Sequence, residues 1–565
     1  MIQIVLPLFL PLFQSPTELW KETATLSPPA PEAQGEFGRS VSVSGDSAAI
    51  GAWREDAGAG VDAGRVHVYV RSAGTWTSQA VLTASNAAAG DEFGRSVSLD
   101  GDRLAVGAWG TDVSPTAQDA GSVYLFERSG TSWSEVAELR GGSVAPGELF
   151  GRSVALDGDR LAAGTPLHQD LVNGRSSVWV FEWNGASWNE CAELQADPAD
   201  GQVGDEFGYK VALSGERLLV GARRDGAGVA NSGAAYLFEG GCPAWTQVAK
   251  WKHPSPAGQD RFGRAVAIDA DRAIVGARLD DAVFPDEGSA HVYRRDAGGW
   301  TYEAFLLPLD PEPGAQFGRN VSIAGPLAVV GANGQDAPGV DSGAAYVFRR
   351  SGSAWSQTSK LTPWEGAAGD EHGRHLAVDG TTLIASSRFG DPGGIADAGL
   401  ALAYELDASM RPFCFGDEQP PGTDCPCDNP SGVGTGQGCR NSRSIGGHAT
   451  AAGSASVAAD DLELCASRLL PNQPALLFAG HNAVNGGSGI SFGDGLRCAG
   501  GNVVRLGVRV PDPAGGARWG PGLAAMGGWS GGDLRRFQVW YRDPAGSPCG
   551  SGFNLSAGIE VAFTP

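Results

Sequence analysis

A segment of 55 to 57 residues recurs seven times in this chain of 565 residues. Each copy carries an aromatic-Gly pair and, fourteen residues later, a pair of small residues. The aromatic-Gly pairs are Phe37-Gly38, Phe93-Gly94, Phe150-Gly151, Phe207-Gly208, Phe262-Gly263, Phe317-Gly318 and His372-Gly373. The later pairs are Gly51-Ala52, Gly107-Ala108, Gly164-Thr165, Gly221-Ala222, Gly276-Ala277, Gly331-Ala332 and Ser386-Ser387. Because each copy contains four strand-like runs, the repeat predicts an all-β fold, a seven-bladed β-propeller.

The N-terminus is predicted to close the ring of blades. The outer strand begins with Trp in every copy but the last: Trp76, Trp133, Trp188, Trp245, Trp300 and Trp355. The missing element stands at the other end of the chain, since Trp20 precedes Phe37 by 17 residues, the interval that also separates Trp76 from Phe93. We therefore predict that the strand from Trp20 to Leu26 completes blade seven and removes the exposed sheet edges.

The paired motifs resemble the FG-GAP repeat of integrin α-subunit propellers and their bacterial relatives. The resemblance covers residues 17 to about 407. Integrin-type repeats often carry an Asp-x-Asp-x-Asp-Gly calcium loop between the first two strands. Here that connection is a two-residue turn such as Asp100-Gly101, which cannot supply the roughly six to eight oxygens that calcium requires. The calcium sites of the family are therefore not expected in this chain.

Charge and hydropathy restrict the partners and the location. The net charge of −23 repels phosphate backbones, so nucleic acid is not an expected partner. Residues 1–15 are apolar and are predicted to be an export signal, and no other run is long enough to span a bilayer. We expect a secreted or cell-surface protein. Its predicted parts are a propeller over 16–407, a Cys/Gly-rich linker over 408–447 and a disulfide-braced β-rich module over 448–565.

The nine cysteines are unevenly distributed. Two lie in the propeller, Cys191 and Cys242, and seven lie in the last quarter: Cys414, Cys425, Cys427, Cys439, Cys465, Cys498 and Cys549. Such clustering in an exported chain predicts disulfides, of undetermined connectivity. The odd number leaves at least one thiol free or paired outside the module. A zinc site formed by Cys414, Cys425, Cys427 and Cys439 is the alternative, but Cys-x-Cys departs from the usual zinc spacing.

A recurring Arg two residues after the aromatic anchor is the first candidate for a binding site. The series is Arg39, Arg95, Arg152, Arg264, Arg319 and Arg374, and copy four has Tyr209-Lys210 instead. On the innermost strands these side chains should form a ring near the channel, able to hold an anionic ligand such as a carboxylate- or sulfate-bearing glycan. In the alternative, each Arg pairs with an acid of a neighbouring blade, among Asp91-Glu92, Asp205-Glu206 and Asp370-Glu371.

The loop between the second and third strands of each copy is the second candidate. Its acids are Asp56, Asp62, Asp112, Asp119, Asp225, Asp280, Asp281, Asp286, Asp336, Asp341, Asp391 and Asp397. Several precede x-Gly, a pattern typical of turns that satisfy their own amides, and we favour that interpretation over a divalent-ion site.

The histidines are the third candidate. His372 and His375 lie three residues apart on a strand, hence on opposite faces, and should not chelate a metal. His67 and His291 occupy the place of Tyr124 and are interpreted as packing substitutes. We predict no metal site and no cofactor, and no catalytic triad, P-loop or HExxH motif is found.

The sequence favours an exported, non-enzymatic binding or adhesion protein that presents propeller loops to an extracellular glycan or protein. The alternative is a polysaccharide lyase or hydrolase with its site at the channel mouth. The candidates for its catalytic groups are His168 and Asp170 in copy three and the His372/His375 blade. In a third interpretation, the chain is a structural envelope component that makes its contacts through the C-terminal module.

Overall fold

The computed structural model describes residues 19–565 except 57–59, 113, 115–117, 143–144, 168–175, 203, 227, 337–338, 364–365, 408, 416–424, 432–436, 514 and 545–546. The predicted export signal and the His168 and Asp170 candidates lie outside the described residues. The chain divides into two compact units, one containing 22–347 and 361–405, the other containing 19–21, 348–360 and 406–565. In the described part of the chain, no helix has the length and apolarity to cross a membrane.

Six of the seven repeats form a four-stranded sheet whose strands follow chain order from the innermost outwards, and the sheet of the seventh takes its outer strand from the N-terminus. The first strand of the chain is β1, Trp20–Leu26. Blade one contains β2 (Phe37–Ser44), β3 (Ser47–Ala52), β4 (Arg65–Ser72) and β5 (Thr75–Leu82). Blade two contains β6 (Ser96–Asp100), β7 (Arg103–Ala108), β8 (Ser122–Ser129) and β9 (Ser132–Leu139). Blade three contains β10 (Ser153–Asp157), β11 (Arg160–Thr165), β12 (Ser177–Trp183) and β13 (Trp188–Leu194). Blade four contains β14 (Phe207–Ser214), β15 (Arg217–Ala222), β16 (Ala234–Gly241) and β17 (Ala244–Trp251).

The remaining blades repeat the plan. Blade five contains β18 (Phe262–Asp269), β19 (Arg272–Ala277), β20 (Ser289–Asp296) and β21 (Gly299–Leu306). Blade six contains β22 (Asn320–Ala324), β23 (Leu327–Ala332), β24 (Ala344–Ser351) and β25 (Ala354–Leu361). Blade seven contains β26 (Leu376–Asp379), β27 (Thr382–Ser387), a 3₁₀ turn (Pro392–Gly394) and β28 (Leu400–Leu406). The predicted seven-bladed propeller is confirmed.

The N-terminal strand closes the ring, as predicted. The sheet of blade seven has the order β1-β28-β27-β26, so β1 takes the outer position that a local strand fills in the other blades. The hydroxyl of Thr23 on β1 donates to the carbonyl of Ala403 on β28 at 3.2 Å. At the inner end, the amide of Gly45 in blade one donates to the carboxylate of Asp379 in blade seven at 2.7 Å.

Neighbouring blades meet through glycine backbones. A Cβ placed on Gly107 of blade two would lie 2.0 Å from the carbonyl oxygen of Gly151 in blade three, far inside contact distance. The hydroxyl of Ser96 donates to the same oxygen at 2.8 Å. The contact recurs between Gly51 and the oxygen of Gly94, also at 2.0 Å. The two glycine positions of the repeat therefore serve one purpose, the close approach of successive blades.

The short turns between the first and second strands also join the blades. The amide of Gly158 donates to the Asp100 carboxylate of the preceding blade at 2.7 Å, and the amide of Gly325 donates to Asp269 at 2.6 Å. These acids accept amide hydrogens from the next turn, which is a structural use of the position where integrin-type repeats often bind calcium.

The second unit is mainly β as well. Its first elements are β29 (Met410–Phe413), a 3₁₀ turn (Pro426–Asp428), β30 (Gln437–Arg440), β31 (Gly446–Ala452), β32 (Glu463–Ser467), β33 (Ala475–Gly480), β34 (Asn482–Ala483) and a 3₁₀ turn (Val484–Gly487). Its last elements are β35 (Ile490–Phe492), β36 (Gly495–Arg497), β37 (Ala499–Gly500), β38 (Val504–Arg509), β39 (Ala517–Trp519), α1 (Leu523–Gly527), β40 (Leu534–Arg542) and β41 (Phe553–Ala562). The two larger sheets have the orders β29-β41-β40-β33-β38 and β30-β31-β32-β39. Its core contains the buried rings of Trp519, Phe537 and Tyr541.

The segment 408–447 differs from the predicted linker, because it supplies β29, β30 and the start of β31 to these sheets. Its Gly- and Cys-rich composition gives no strand-like pattern. The strands are stabilised by partners far along the chain, as when Met410 on β29 pairs with Val561 on β41.

The predicted disulfides are confirmed. In the second unit they are Cys414–Cys498, Cys425–Cys439 and Cys427–Cys549, and in the propeller Cys191–Cys242. All four cysteines of the zinc alternative are therefore used in disulfides. Cys465 is buried and lies outside these bonds.

The glycine contact gives a testable prediction for the propeller. Gly107→Ala places a methyl group against the Gly151 oxygen, so we expect a loss of about 3 kcal/mol in the free energy of unfolding, at the upper end of the range for overpacking. Urea denaturation followed by tryptophan fluorescence measures it. Gly258→Ala is the matched control, because its Cβ would lie 3.7 Å from the nearest heavy atom. Equal effects of the two substitutions would contradict the role given to the contact.

Candidate functional site

The innermost strands of the propeller surround a cavity of about 250 Å³. Six cationic side chains line it: Arg39, Arg95, Arg152, Lys210, Arg264 and Arg319. Tyr209 and His375 also face it, and its other lining residues are small, apolar or neutral polar. Within the described part of the chain, the lining thus contains no Asp or Glu, although the chain as a whole is strongly acidic.

A backbone irregularity directs the arginines into this cavity. In blade one the ladder between β2 and β3 shifts register between Phe37 and Ser40. Gly38 between them has a φ of +90°, a left-handed conformation that favours glycine. The aromatic anchor Phe37 is fully buried in the blade, and Arg39, within the shifted segment, faces the cavity. The aromatic-Gly-Arg order of the repeat thus builds a bulge that presents a cation.

Arg95 is held between two tryptophan rings. Its guanidinium carbon lies 4.0 Å from the ring centroid of Trp53 and 3.9 Å from that of Trp109. Glu92 of the same blade is 3.5 Å from Nη1 of Arg95. Burial, together with repulsion from Arg152, lowers the pKa of Arg95 to about 9, so the group stays protonated at neutral pH.

Tyr209 is the acidic group among these cations. Nη2 of Arg152 donates to the Tyr209 hydroxyl at 2.7 Å, and the guanidinium carbons of Arg223 and Arg264 lie 3.9 and 4.8 Å from its ring centroid. Burial alone raises the pKa of Tyr209, but the positive charges around it, those of Arg152 and Arg264 first, bring that pKa well below its usual value of 10. The cations around Tyr209 therefore favour its ionised form over the neutral phenol.

The remaining lining groups have few neutralising partners. Nη1 of Arg39 lies 3.1 Å from Nε2 of His375, whose pKa burial and the nearby Arg39 lower well below its usual value, so that the ring is neutral. Burial also lowers the pKa of Lys210, to about 8. Among the described residues, the ion pairs of the predicted Arg series are confined to Arg95 and Arg374.

Five of the six predicted arginines line the cavity, and Arg374 does not. Arg374 instead donates to the carboxylate of Glu371 in its own blade. In the sequence, Tyr209-Lys210 interrupts the arginine series, and the spacing predicts no role for either residue. That break was the available signal, because Lys210 supplies in blade four the cation that arginine supplies elsewhere.

Among the residues that the structure describes, no arginine of the ring forms an ion pair with an acid of a neighbouring blade. The Asp91 carboxylate accepts the amide of Ala88, and Asp205 and Asp370 accept equivalent amides in their own blades. Glu206 pairs with Arg223 and Arg224, again within its blade. The proposed partner acids are thus engaged away from the cavity or inside one blade.

The acidic loops between the second and third strands form turns whose carboxylates accept backbone amides, which is the interpretation that the sequence favoured. The amide of Asp119 donates to the carboxylate of Asp112 at 3.0 Å, and Asp119 has a φ of +51°. The amide of Asp341 donates to Asp336 in the same way at 2.9 Å. Asp225 is different: its carboxylate is buried and accepts from the Tyr236 hydroxyl at 2.6 Å.

The two histidines of blade seven precede β26 instead of lying on a strand as predicted, and they have separate surroundings. Nδ1 of His372 lies 2.9 Å from the hydroxyl of Ser387, and its Nε2 lies 3.1 Å from the hydroxyl of Tyr404, inside the blade. His375 faces the cavity. His372 is thus a polar core residue, and His375 belongs to the candidate site.

The FG-GAP repeat family model matches the chain seven times, over residues 20–69, 76–126, 133–181, 188–238, 245–293, 300–348 and 355–404. The matched segments together make up more than half of the chain, and each begins in the outer strand of one blade and ends in the third strand of the next. A search of curated proteins gave no match.

The state of Tyr209 can be measured directly. As the pH rises, we expect one tyrosine to ionise early, well below pH 10. Burial raises the pKa of others, such as Tyr69 and Tyr236, above their usual value. Ultraviolet difference spectroscopy detects the phenolate, and Tyr209→Phe should remove the early step alone. Tyr69→Phe is the control, and an early step that survives Tyr209→Phe would contradict the assignment.

Proposed function

The chain belongs to the FG-GAP repeat family, and from that premise we propose that it is an exported, non-enzymatic binding protein whose central cavity takes an anionic ligand. The observation that carries the proposal is the set of six cations facing one cavity without a carboxylate in its lining. Like charges at such short range destabilise one another unless a counter-charge is present. A ligand that supplies negative charge would relieve this repulsion.

The chemistry of the lining supports a carboxylate- or sulfate-bearing glycan as the ligand. Guanidinium groups match the planar geometry of carboxylates and bind oxyanions with two hydrogen bonds. A cavity of about 250 Å³ has room for one charged sugar or end group rather than for a long polymer segment. The rest of the glycan would lie against the loops that surround the opening.

The disulfide bonds agree with an extracellular location. The four disulfides of the described residues are typical of proteins that fold in an oxidising compartment. The acidic surface would repel bulk anions, so the cationic cavity would select ligands able to place a single negative group inside it.

Arg319→Gln tests the proposal. Arg319 lines the cavity and forms no ion pair among the described residues, so its loss should weaken binding of a sulfated or uronic-acid oligosaccharide roughly tenfold to a hundredfold, as expected for a charge-assisted hydrogen bond. Isothermal titration calorimetry measures this, with a neutral oligosaccharide as the ligand control. Arg374→Gln is the matched protein control, since Arg374 holds the same repeat position outside the cavity lining.

The same variant separates binding from stability. Without ligand, Arg319→Gln should raise the thermal midpoint, because burial and the neighbouring Arg264 and Arg374 lower the pKa of Arg319 and so disfavour its charged form. Equal affinity for neutral and anionic oligosaccharides, or equal losses in both variants, would contradict the proposed anion site.

Tyr209 favours a polysaccharide lyase as the second candidate function. A lyase needs a base that removes the proton next to a uronate carboxylate, and cations that stabilise the negative charge that then develops. The Tyr209 phenolate, 2.7 Å from Nη2 of Arg152, provides the first, and the surrounding cations provide the second. Elimination would break the glycosidic bond, leaving a double bond in the ring of the uronate.

The two candidates differ in their products. Incubation with uronic-acid polysaccharides should give retention of the polymer without new ends if the protein only binds. A lyase would release unsaturated oligosaccharides, detected by their ultraviolet absorbance, and Tyr209→Phe should abolish that release while binding persists. Product release that is unchanged in Tyr209→Phe would exclude Tyr209 as the base. We expect retention without product.

A further inference from the structure

Blade five contains a buried polar cluster with two imidazoles and a carboxylate. His253 follows the outer strand of blade four, Asp280 follows β19 and His291 lies on β20. Their ligand atoms all lie within 4.8 Å of one another, and the three side chains are buried. We propose that His253, Asp280 and His291 form a binding site for a divalent transition-metal ion of the zinc type. The proposal is independent of the anion site.

Other blades show what is particular to blade five. They place one polar pair at the positions of Asp280 and His291, directly hydrogen-bonded: Asp225 with Tyr236 at 2.6 Å in blade four, Gln335 with Tyr346 at 2.6 Å in blade six and Glu55 with His67 at 2.8 Å in blade one. At the position of His253, blades two and four receive only the methyl groups of Ala84 and Ala196. The third potential ligand is therefore an addition to a recurring pair.

The orientation of His253 suits a metal ligand. Its Nδ1 makes its shorter contact, 2.8 Å, with the carbonyl oxygen of Ser255, which can only accept a hydrogen bond. With the proton on Nδ1, the lone pair is on Nε2, which lies 3.1 Å from Oδ2 of Asp280. Metal-binding histidines commonly have such a carbonyl partner on the other nitrogen, which fixes the ring.

The two facing atoms are unsatisfied. Nε2 of His253 and Oδ2 of Asp280 lie at ion-pair distance, but both atoms are buried and neither makes a hydrogen bond of good geometry. His253 is 8% exposed and Asp280 is 5% exposed, so water has little access to satisfy them. An ion between them would satisfy both.

His291 and a hydroxyl complete the site. Nδ1 of His291 lies 3.2 Å from the hydroxyl of Tyr302, which leaves Nε2 directed towards Ser289, whose hydroxyl is 3.0 Å away and fully buried. Two imidazoles with one carboxylate match zinc, whereas calcium and magnesium prefer oxygen ligands alone. Tetrahedral bonds of about 2.0–2.1 Å place ligand atoms roughly 3.4 Å apart, so the widest separation in the cluster needs to contract by up to about 1.4 Å around the ion.

A metal-free ion pair is the competing explanation. In blade four, Nζ of Lys250 lies 2.6 Å from Oδ2 of Asp225 and neutralises that buried carboxylate. Protonated His253 could do the same for Asp280 without any metal. The two explanations differ in a measurable quantity, the binding of one equivalent of metal ion.

The experiment uses the full-length protein after removal of metal with a chelator. Titration with Zn²⁺ alone should show one equivalent bound and a raised thermal midpoint, and Co²⁺ should give the visible absorption of a tetrahedral site. His253→Ala and His291→Tyr install residues that stand at these positions in other blades, so both variants should fold, as checked by near-ultraviolet circular dichroism. Each should weaken Zn²⁺ binding at least 100-fold. His67→Tyr in blade one is the matched control and should bind as the wild type does.

The outcomes are decisive in both directions. Stoichiometric binding that is lost in both variants and kept in the control supports the site. Absence of stoichiometric binding, or binding that survives both substitutions, would overturn the proposal and leave the buried ion pair as the explanation. Neither outcome bears on the anion site, which is tested in a different cavity with a different ligand.

Discussion

The contact between a glycine of one blade and a carbonyl oxygen of the next is the constraint on which the propeller depends. With a Cβ on Gly107 or Gly51, the oxygen of the following blade would lie 2.0 Å away. The approach lets Ser96 donate to the same oxygen and so pairs a buried acceptor. The junction of blades seven and one is the exception, because Ser386 replaces the glycine and turns its hydroxyl to the His375 carbonyl of its own blade. Two other interactions stabilise that junction: β1 completes the sheet of blade seven, and the amide of Gly45 donates to the carboxylate of Asp379.

The same constraint places the cations. The left-handed glycine that brings blades together also shifts the register of the inner ladder, and the residue after it faces the cavity. Because the backbones are fixed at contact distance, the positive groups cannot move apart to relieve their repulsion. Local contacts relieve part of this repulsion: aromatic rings lie against Arg95, the Tyr209 hydroxyl accepts from Arg152, and His375 lies beside Arg39. The propeller thus tolerates an arrangement that stability alone does not favour, which is typical of a site under functional demand.

The sequence predicted the parts of the fold that follow from local periodicity. Blade number, strand order and closure by Trp20 all follow from fixed intervals along the chain. The strands of 408–447 did not, because their order comes from disulfides and from partners such as β41, more than a hundred residues away. In the candidate site, the repeat predicted that an arginine of each of six copies would lie near the channel. The exclusion of Arg374 and the inclusion of Lys210 depend on which side chain finds a carboxylate within its blade, and spacing does not encode that.

Departures from the repeat carry more functional information than the repeat itself. A residue that recurs in most blades is explained by what all blades share, as Asp100 and Asp269 are by the turn amides that they bind. Tyr209 and His253 have no such explanation, because the equivalent positions of most other blades hold Arg and small or apolar residues. Each also brings a group that the fold does not require. Tyr209 brings an ionisable phenol among cations, and His253 brings a third potential metal ligand beside a polar pair that is hydrogen-bonded in other blades. Blades four and five are therefore where this propeller differs from a purely structural ring.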